Sequence, residues 1–385
     1  MKRLSLVVLL SGWILVICLP GHGFALVEPR GSDWTHDIAT WNWQNFPLNG
    51  NLTVNYLVLL IRDLELDLLC VQEIESEDDF SLLVNNIGGW DGIIGGTGQM
   101  LTGVLFNTSK VSIDSFETIW DDAYFAFPRG PIKMHVTFFE NGDTLKFNLI
   151  NVHLKAGGAY EDDNLERRRA ACDSLKTFMD YQVAHGNPMW MVIGDFNDTL
   201  NDSPQINAFN VFLDDPQSYI FLTEPLSHNV YNASHITTSR LIDHILITED
   251  LMSEYQGGHV ETMRLDQEWN FDLYTDNVSD HRPVGAFFPG AFNQVGDNDP
   301  ESVPVQTIIE VWPVPSNSGV TIRYSLPSGS GYASIYDLTG RLLDEFSLAG
   351  YRGSRFWNGT NSSGFYFIQL NSGASTSHEK FLLVK

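Results

Sequence analysis

The sequence predicts an α/β domain over residues 26–290 and a small all-β sandwich over 307–385. Three observations predict it. From about residue 33 to 290, apolar runs of strand length alternate with segments of helical spacing. The stretch "PGAFNQVGDNDPESVPVQ" (289–306) then shifts to Gly, Asn, Asp and Pro, which sets a linker at 291–306. Beyond it the helical pattern disappears, and short β runs are separated by Gly, Ser and Asn.

The first 25 residues stand apart. Lys2 and Arg3 precede the apolar run "LSLVVLLSGWILVICLP", and "GHGFA" supplies small residues at Gly23 and Ala25. That is the order of a secretory signal, with cleavage expected after Ala25. The apolar run is short and no second one follows, so no stable membrane span is expected. The chain of 385 residues carries a net charge of −26, and loss of Lys2 and Arg3 makes it more acidic still. Such acidity argues against a nonspecific polyanion-binding surface. It leaves a polyanionic substrate open, because bound metal ions reverse a local field. Cys70 and Cys172 remain after the signal; buried free thiols are expected, with a single disulfide as the alternative in an exported protein.

The elements follow in order. "HDIATWN" (36–42) is a strand, and "NLTVNYLVLLIRDLEL" (51–66) has helical spacing with Leu52, Tyr56, Leu59 and Leu60 on one side. "LDLLCVQE" (66–73) is a buried strand that ends in an acid. "GVLFN" (103–107) is another strand. "IKMHVTFFE" (132–140) and "TLKFNLINVH" (144–153) form a hairpin about the turn "NGD" (141–143). Residues 160–186 are the clearest helix. Acids crowd its start, Leu165, Cys172, Leu175, Phe178, Met179 and Val183 line one face, and Gly186 ends it. "MWMVIGD" (189–195), "LIDHILIT" (241–248) and "RPVGAFF" (282–288) are further strands. In the tail, "GVTIRYSL", "GYASIYDL", "GSRFWNG", "GFYFIQL" and "HEKFLLVK" are strands.

Strand after strand in the first domain finishes in a polar residue of ligand type: Asn42, Glu73, His153 and Asp195. Asp243 and His244 interrupt "LIDHILI", while Asp280 and His281 open the last strand. Singly, each has an ordinary explanation: Asn and Asp start turns, a strand-end His is a satisfied structural group, and Glu solvates a loop. Jointly they do not. Strand ends on one side of a sheet converge, and so many acids, amides and histidines would repel one another or go unsatisfied without a ligand. A hard divalent cation with oxygen ligands resolves the conflict, and no zinc-type His/Cys spacing competes with it. Magnesium is expected, with manganese or calcium as alternatives.

The motifs "TWNWQNF", "LCVQE", "RGPI", "NVHLKAGG", "GDFND", "IDHI" and "SDHRP" occur in an order that resembles the endonuclease/exonuclease/phosphatase superfamily, secreted bacterial nuclease-like members most of all. The resemblance implies an α/β (α+β) four-layer sandwich of two packed mixed β-sheets flanked by helices. It implies hydrolysis of a phosphoester by water without a covalent intermediate. Carried onto this sequence, Glu73 is the main metal ligand with Asn42 and Asp280 beside it. Asp195 orients or deprotonates the attacking water, and Asn197 holds it and a phosphate oxygen. His281 contacts the phosphate with its imidazole fixed by Asp243, His153 lies on the phosphate's other side, and Arg129 is a phosphate contact. Asp198 and Thr199 are expected to begin the following loop, and His244 receives no role.

An extracellular nuclease is the leading expectation, with nucleic acid as the partner. Lys155, beside His153, is placed to bind substrate. Arg167, Arg168 and Arg169 point in different directions on a helix, so a solvated helix surface is expected of them. Trp41, Trp43, Trp120 and Tyr124 are candidates for base stacking. A phosphatase or a sphingomyelinase-like phospholipid phosphodiesterase is the alternative, although no long apolar loop supports the lipid form. A non-catalytic binding module is a second alternative, disfavoured because every expected polar position is filled. The tail, with "SIYDLTGR", "SGFYFIQL" and the final Lys385, resembles the C-terminal sorting domain of the type IX secretion pathway. That resemblance implies the outer-membrane secretion machinery as a partner and a secreted or cell-surface location. A monomer is expected.

Overall fold

The computed structural model describes residues 8–10, 13–15, 25–32, 35–140, 143–158, 163–290, 307–312, 320–349, 352–357, 362–373 and 375–383. The expected turn at Asn141 and Gly142, the start of the long helix at 160–162, the linker 291–306 and Lys385 lie outside these residues. At the N-terminus, β1 (Val8–Leu10) and β2 (Trp13–Leu15) pair antiparallel.

Two six-stranded mixed sheets make the first domain. One contains β3 (Thr35–Phe46), β4 (Leu68–Ile74), β5 (Trp90–Gly95), β6 (Leu101–Asn107), β13 (His259–Thr262) and β14 (Val284–Pro289), in the order β13-β14-β3-β4-β6-β5. The other contains β7 (Val111–Thr118), β8 (Ile132–Glu140), β9 (Asp143–His153), β10 (Trp190–Asp195), β11 (Tyr219–Phe221) and β12 (Asp243–Thr248), in the order β11-β12-β10-β9-β8-β7. The central strands read as unbroken apolar runs because both faces are covered, and alternate side chains feed different cores. In β4, Leu68 and Cys70 face the core between the sheets. Leu69 and Val71 face the helices α1 (Asn51–Leu64) and α2 (Glu77–Ile87). In β10, Met191 and Ile193 enter the inter-sheet core, while Trp190 and Val192 pack under α3 (Asn164–Ala184). The layers therefore run helix, sheet, sheet, helix, as expected.

A buried polar bridge ties the two sheets near the strand ends. Gln72 Nε2 donates to Thr40 Oγ1 (3.0 Å) and to Asn151 Oδ1 (2.8 Å). Asn151 Nδ2 donates in turn to the carbonyl of Gly103 at 2.8 Å. Fully partnered, these amides fix how the two sheets stack.

The structure corrects two expectations about the helices. On α1, Leu52 and Leu59 are exposed, and Val54, Leu57, Leu60, Ile61 and Leu64 form the buried stripe. Apolar residues cover most of that helix's circumference, so the spacing admits more than one stripe and the sheet beneath selects one. The arginines of α3 are not a solvated surface. Arg168 is 1% exposed and pairs with Asp198. Arg167 and Arg169 donate to the carbonyls of Tyr124, Phe125, Gln205 and Asn207. Among the elements the sequence reading did not single out are α2, β5 and β7, at or beside the ends of the two sheets.

The tail forms two antiparallel sheets. β15 (Ile308–Trp312), β16 (Val320–Ser325) and β19 (Arg352–Trp357) make one, in the order β15-β16-β19. β17 (Ser330–Asp337), β18 (Leu342–Ala349), β20 (Gly364–Ser372) and β21 (Ser375–Leu383) make the other, in the order β18-β17-β20-β21. The two share a core of their own that includes Ile322, Ile335, Trp357, Ile368 and Phe381. Cys70 and Cys172 are free and buried.

Candidate active site

Strand register delivers the first three groups side by side. Asp195, the last residue of β10, is paired with His153 on parallel β9 and with Asp243 on antiparallel β12. Gly194 makes this approach feasible: its φ is +145°, and a Cβ there would meet the Val152 carbonyl oxygen at 2.0 Å. The facing sheet supplies Asn42 at a bulge near the end of β3 and Glu73 near the end of β4. Glu73 adopts φ +63° and Asn197 φ +55°, conformations that non-glycine residues rarely take and that concentrate at functional positions.

One amide joins the two sheets' contributions. Asn42 Nδ2 donates to Glu73 Oε1 and to Asp195 Oδ2, both at 3.0 Å. Its Oδ1 accepts from the Gln44 amide at 2.9 Å, so a lone pair expected for a cation is engaged by backbone. His153 Nε2 lies 3.7 Å from both carboxylates, and its buried Nδ1 has no partner among the described residues. Asp195 Oδ1 accepts from the Asn197 amide at 2.8 Å, and Asn197 Nδ2 donates to the Leu154 carbonyl. On the other side, His281 Nδ1 meets Asp243 Oδ2 at 2.8 Å. Trp41 Nε1 and the Tyr274 hydroxyl both donate to the His281 carbonyl.

Burial sets the electrostatics. Desolvation, reinforced by the charge of Asp243, lifts the Asp195 carboxyl to about 7 against the lowering pull of His281 and Asn42. For His281, desolvation alone would lower the pKa. The charge and hydrogen bond of Asp243, with Asp195 and Asp280 beyond, overcome it and raise the imidazole to about 10. His153 goes the other way: burial and the cations Arg129 and His281 hold it neutral. The site thus pairs one imidazolium with one neutral imidazole. The donor set fits a hard divalent cation. It is rich in oxygen, and a buried carboxyl raised this far is one that a cation would relieve.

The profile of the Endonuclease/Exonuclease/phosphatase family matches residues 39–281, which span every group just described. This chain belongs to that family. The profile of the secretion system C-terminal sorting domain matches residues 310–385. Among solved structures, the chain is similar to a D. rerio TDP2 humanized by 14 mutations, at 15% identity and a TM-score of 0.49, over 67% of this chain and 99% of that one. It is also similar to a Bacteroides thetaiotaomicron mannosyl-6-phosphatase, at 15% identity and a TM-score of 0.48, over 66% and 99%. A third is the human Nocturnin catalytic domain with bound sulfate, at 16% identity and a TM-score of 0.48, over 67% and 95%. No curated protein matches the chain.

Members of the endonuclease/exonuclease/phosphatase family are phosphoester hydrolases, and the sorting domain directs this one through the type IX pathway to the cell surface or beyond. No helix among the described residues is long and apolar enough to cross a membrane. The remaining expected residues sit around the family site as follows. Arg129 donates to the Leu154 carbonyl at 3.2 Å; burial lowers its pKa while Glu73 and Asp195 raise it. Lys155 Nζ turns to the Ala156 carbonyl at 2.9 Å. The Asp280 amide donates to Gln44 Oε1. Trp41 and Trp43 are fully buried, which removes them from base stacking; Trp120 lies stacked on Phe127, and Tyr124 is exposed.

Asp198 is more than a turn residue. Arg168 Nε donates to its Oδ2 at 3.1 Å, and Arg168 Nη1 donates to the carbonyls of Lys155 and Gly157. One buried guanidinium thus holds both loops that flank Asp195. His244 Nε2 meets the Asp198 carbonyl at 3.0 Å from within a cluster of Phe196, Phe209 and Phe221; its pKa falls to about 4 through burial. His235 carries no sequence signal: it lies in the loop before β12 without strand periodicity, and its bridge to His281 and its approach to Asp280 bring it to the site.

Proposed function

We propose that this chain is an exported, metal-dependent phosphodiesterase whose substrate is nucleic acid. The observation that supports it most is the amide of Asn42, 3.0 Å from each of two carboxylates that lie 122 positions apart in sequence and on different sheets. A bound divalent cation, magnesium by expectation and manganese or calcium otherwise, would be held by Glu73, Asp280 and Asn42, and would acidify a water and screen phosphate charge. Asp195, raised toward neutrality, accepts a proton from the attacking water, and Asn197 holds that water and a phosphate oxygen. His281, kept charged by Asp243, donates to the phosphate as negative charge builds. His153, held neutral, stabilises the phosphate from the other side by hydrogen bonding and not as an acid. Arg129 adds a second cation to the phosphate, and Lys155 contacts the substrate beyond it.

Nucleic acid is supported by Tyr124 and Phe125, 69% and 51% exposed on the loop that carries Arg129. Arg167 stacks on both rings, at 5.3 and 5.7 Å from their centroids. The second reading, a phosphomonoesterase, is favoured by the fate of Arg167, Arg168 and Arg169: all three are spent on internal contacts, so they provide no basic track along a duplex. Residues 1–25 act as the secretory signal, removed before the tail engages the export machinery.

A panel of plasmid, single-stranded DNA, RNA, sphingomyelin and a simple phosphomonoester tests these readings. Wild type is compared with Asp195→Ala and His281→Ala, in magnesium and in chelator. Nucleic-acid cleavage by wild type in magnesium, lost in both variants and in chelator, is the expected result. Equal activity in every arm excludes catalysis at this site. Hydrolysis of the phosphomonoester alone selects the second reading.

A further inference from the structure

His235, Asp280 and His281 place one ligand-type atom each within 4.8 Å of one another, the geometry of a three-ligand metal site. The hydrogen bonds at His235 argue otherwise. The segment around it is zipped onto the last strand's entry: Ile236 donates its amide to the Asp280 carbonyl at 2.8 Å, and Arg282 donates to the Ser234 carbonyl at 2.7 Å. The His235 amide donates to the Arg240 carbonyl at 2.9 Å, closing the loop "HITTSR". Within that loop the Thr238 amide donates to His235 Nδ1 at 3.1 Å, and the Thr238 hydroxyl lies 2.9 Å from the same nitrogen.

A backbone N–H is a donor and nothing else. Nδ1 must therefore present its lone pair, and the ring proton resides on Nε2. A protonated Nε2 cannot bind a cation. Were a metal to take Nε2, Nδ1 would carry the proton and confront the Thr238 amide. The same contact opposes an imidazolium, in which Nδ1 would also carry a proton; the rings of His235 and His281 stand edge to face with centroids 4.8 Å apart. The nitrogen that keeps its proton points at Asp280, with Nε2 3.6 Å from Oδ2.

We propose that His235 is a positioning residue for Asp280: a neutral imidazole, locked as the Nε2–H tautomer by the loop it starts, that steers the Asp280 carboxylate and does not itself ligate a cation. The inference rests on the reading of Asp280 as a metal ligand. At 3.6 Å the Nε2–H and the carboxylate stand just beyond hydrogen-bond distance, a dipole facing a charge and not an ion pair. A partner of this kind fixes which carboxylate oxygen faces the metal, and its removal typically weakens metal affinity by about tenfold or more.

Two measurements on the full chain test it. Long-range proton–nitrogen NMR of histidine-labelled, metal-free protein, with His235 assigned through His235→Gln, is expected to give a protonated Nε2 and a bare Nδ1. A protonated Nδ1 overturns the proposal whether or not any variant folds. Calorimetric titration with manganese compares wild type, His235→Ala, His235→Gln and Asp280→Ala. The expected result is about tenfold weaker binding for His235→Ala, with most of it restored in His235→Gln, whose side-chain amide also offers a donor. Wild-type affinity in His235→Ala beside a loss in Asp280→Ala overturns the inference and leaves the ligand reading standing. Unchanged affinity in Asp280→Ala removes the ligand reading and the inference with it.

Discussion

Asp195 and His281 are both buried and shifted upward, with opposite consequences. As the proposed base, Asp195 works only when ionised, so activity is expected to fall as pH drops through about 7. In its proposed role His281 serves only while charged, so activity is expected to fall again as pH rises through about 10, giving a bell-shaped profile of kcat/KM. In stability the sign for Asp195 is that of a raised group. Its contribution is fully present below the unfolded carboxyl value of about 4 and is lost as pH rises through about 7. Asp195→Asn is therefore expected to lose on the order of a hundredfold or more in rate while melting higher than wild type at pH 8 in chelator. A lower melting temperature for that variant would contradict the burial argument. Asp243→Asn removes the first group that holds His281 charged, so the imidazole pKa falls from about 10, which proton NMR of the ring reads directly.

Among the elements, β10 depends most on one small residue. A Cβ at Gly194 would strike the Val152 carbonyl of β9, and φ +145° is costly for any L side chain. Gly194→Ala is expected to destabilise the fold by about 2 kcal/mol or more and to lower kcat beyond what stability explains, because Asp195 and His153 part company. Denaturant unfolding alongside kinetics separates the two effects. The motif "GDFND" was legible as a polar strand end; that its glycine exists to let two strands touch was not, since the clash lies with a residue more than forty positions away. α3 teaches the converse. Its apolar face followed from periodicity, but three consecutive arginines on a helix carry no sign of which one turns inward. Arg168 does, because the loops at 155–157 and Asp198 need a donor there. Arg168→Ala removes the nearer cation from buried Asp198, leaving Arg240 at 3.8 Å, and is expected to cost about 3 kcal/mol in chemical denaturation. A cost below about 1 kcal/mol would return that arginine to the solvated role its sequence suggested.

At the scale of the whole molecule, the tail's core is built from its own residues and the catalytic domain's cores from theirs. Loss of residues 307–385 is therefore expected to leave phosphoester hydrolysis within about twofold of wild type while the protein accumulates inside the cell, a result that fractionation and assay of each fraction would check. Recovery of the shortened chain outside the cell would contradict the sorting role. The sequence by itself determined the succession of strands and helices, the two-part plan and the residues that end strands in oxygen and nitrogen, because local patterns of burial and turn chemistry are written residue by residue. Only the tertiary structure decided which stripe of α1 is buried, which arginine is swallowed, and that His235 stands beside His281. Those outcomes depend on groups distant in sequence that meet once two sheets stack, and no local pattern encodes who the neighbour will be.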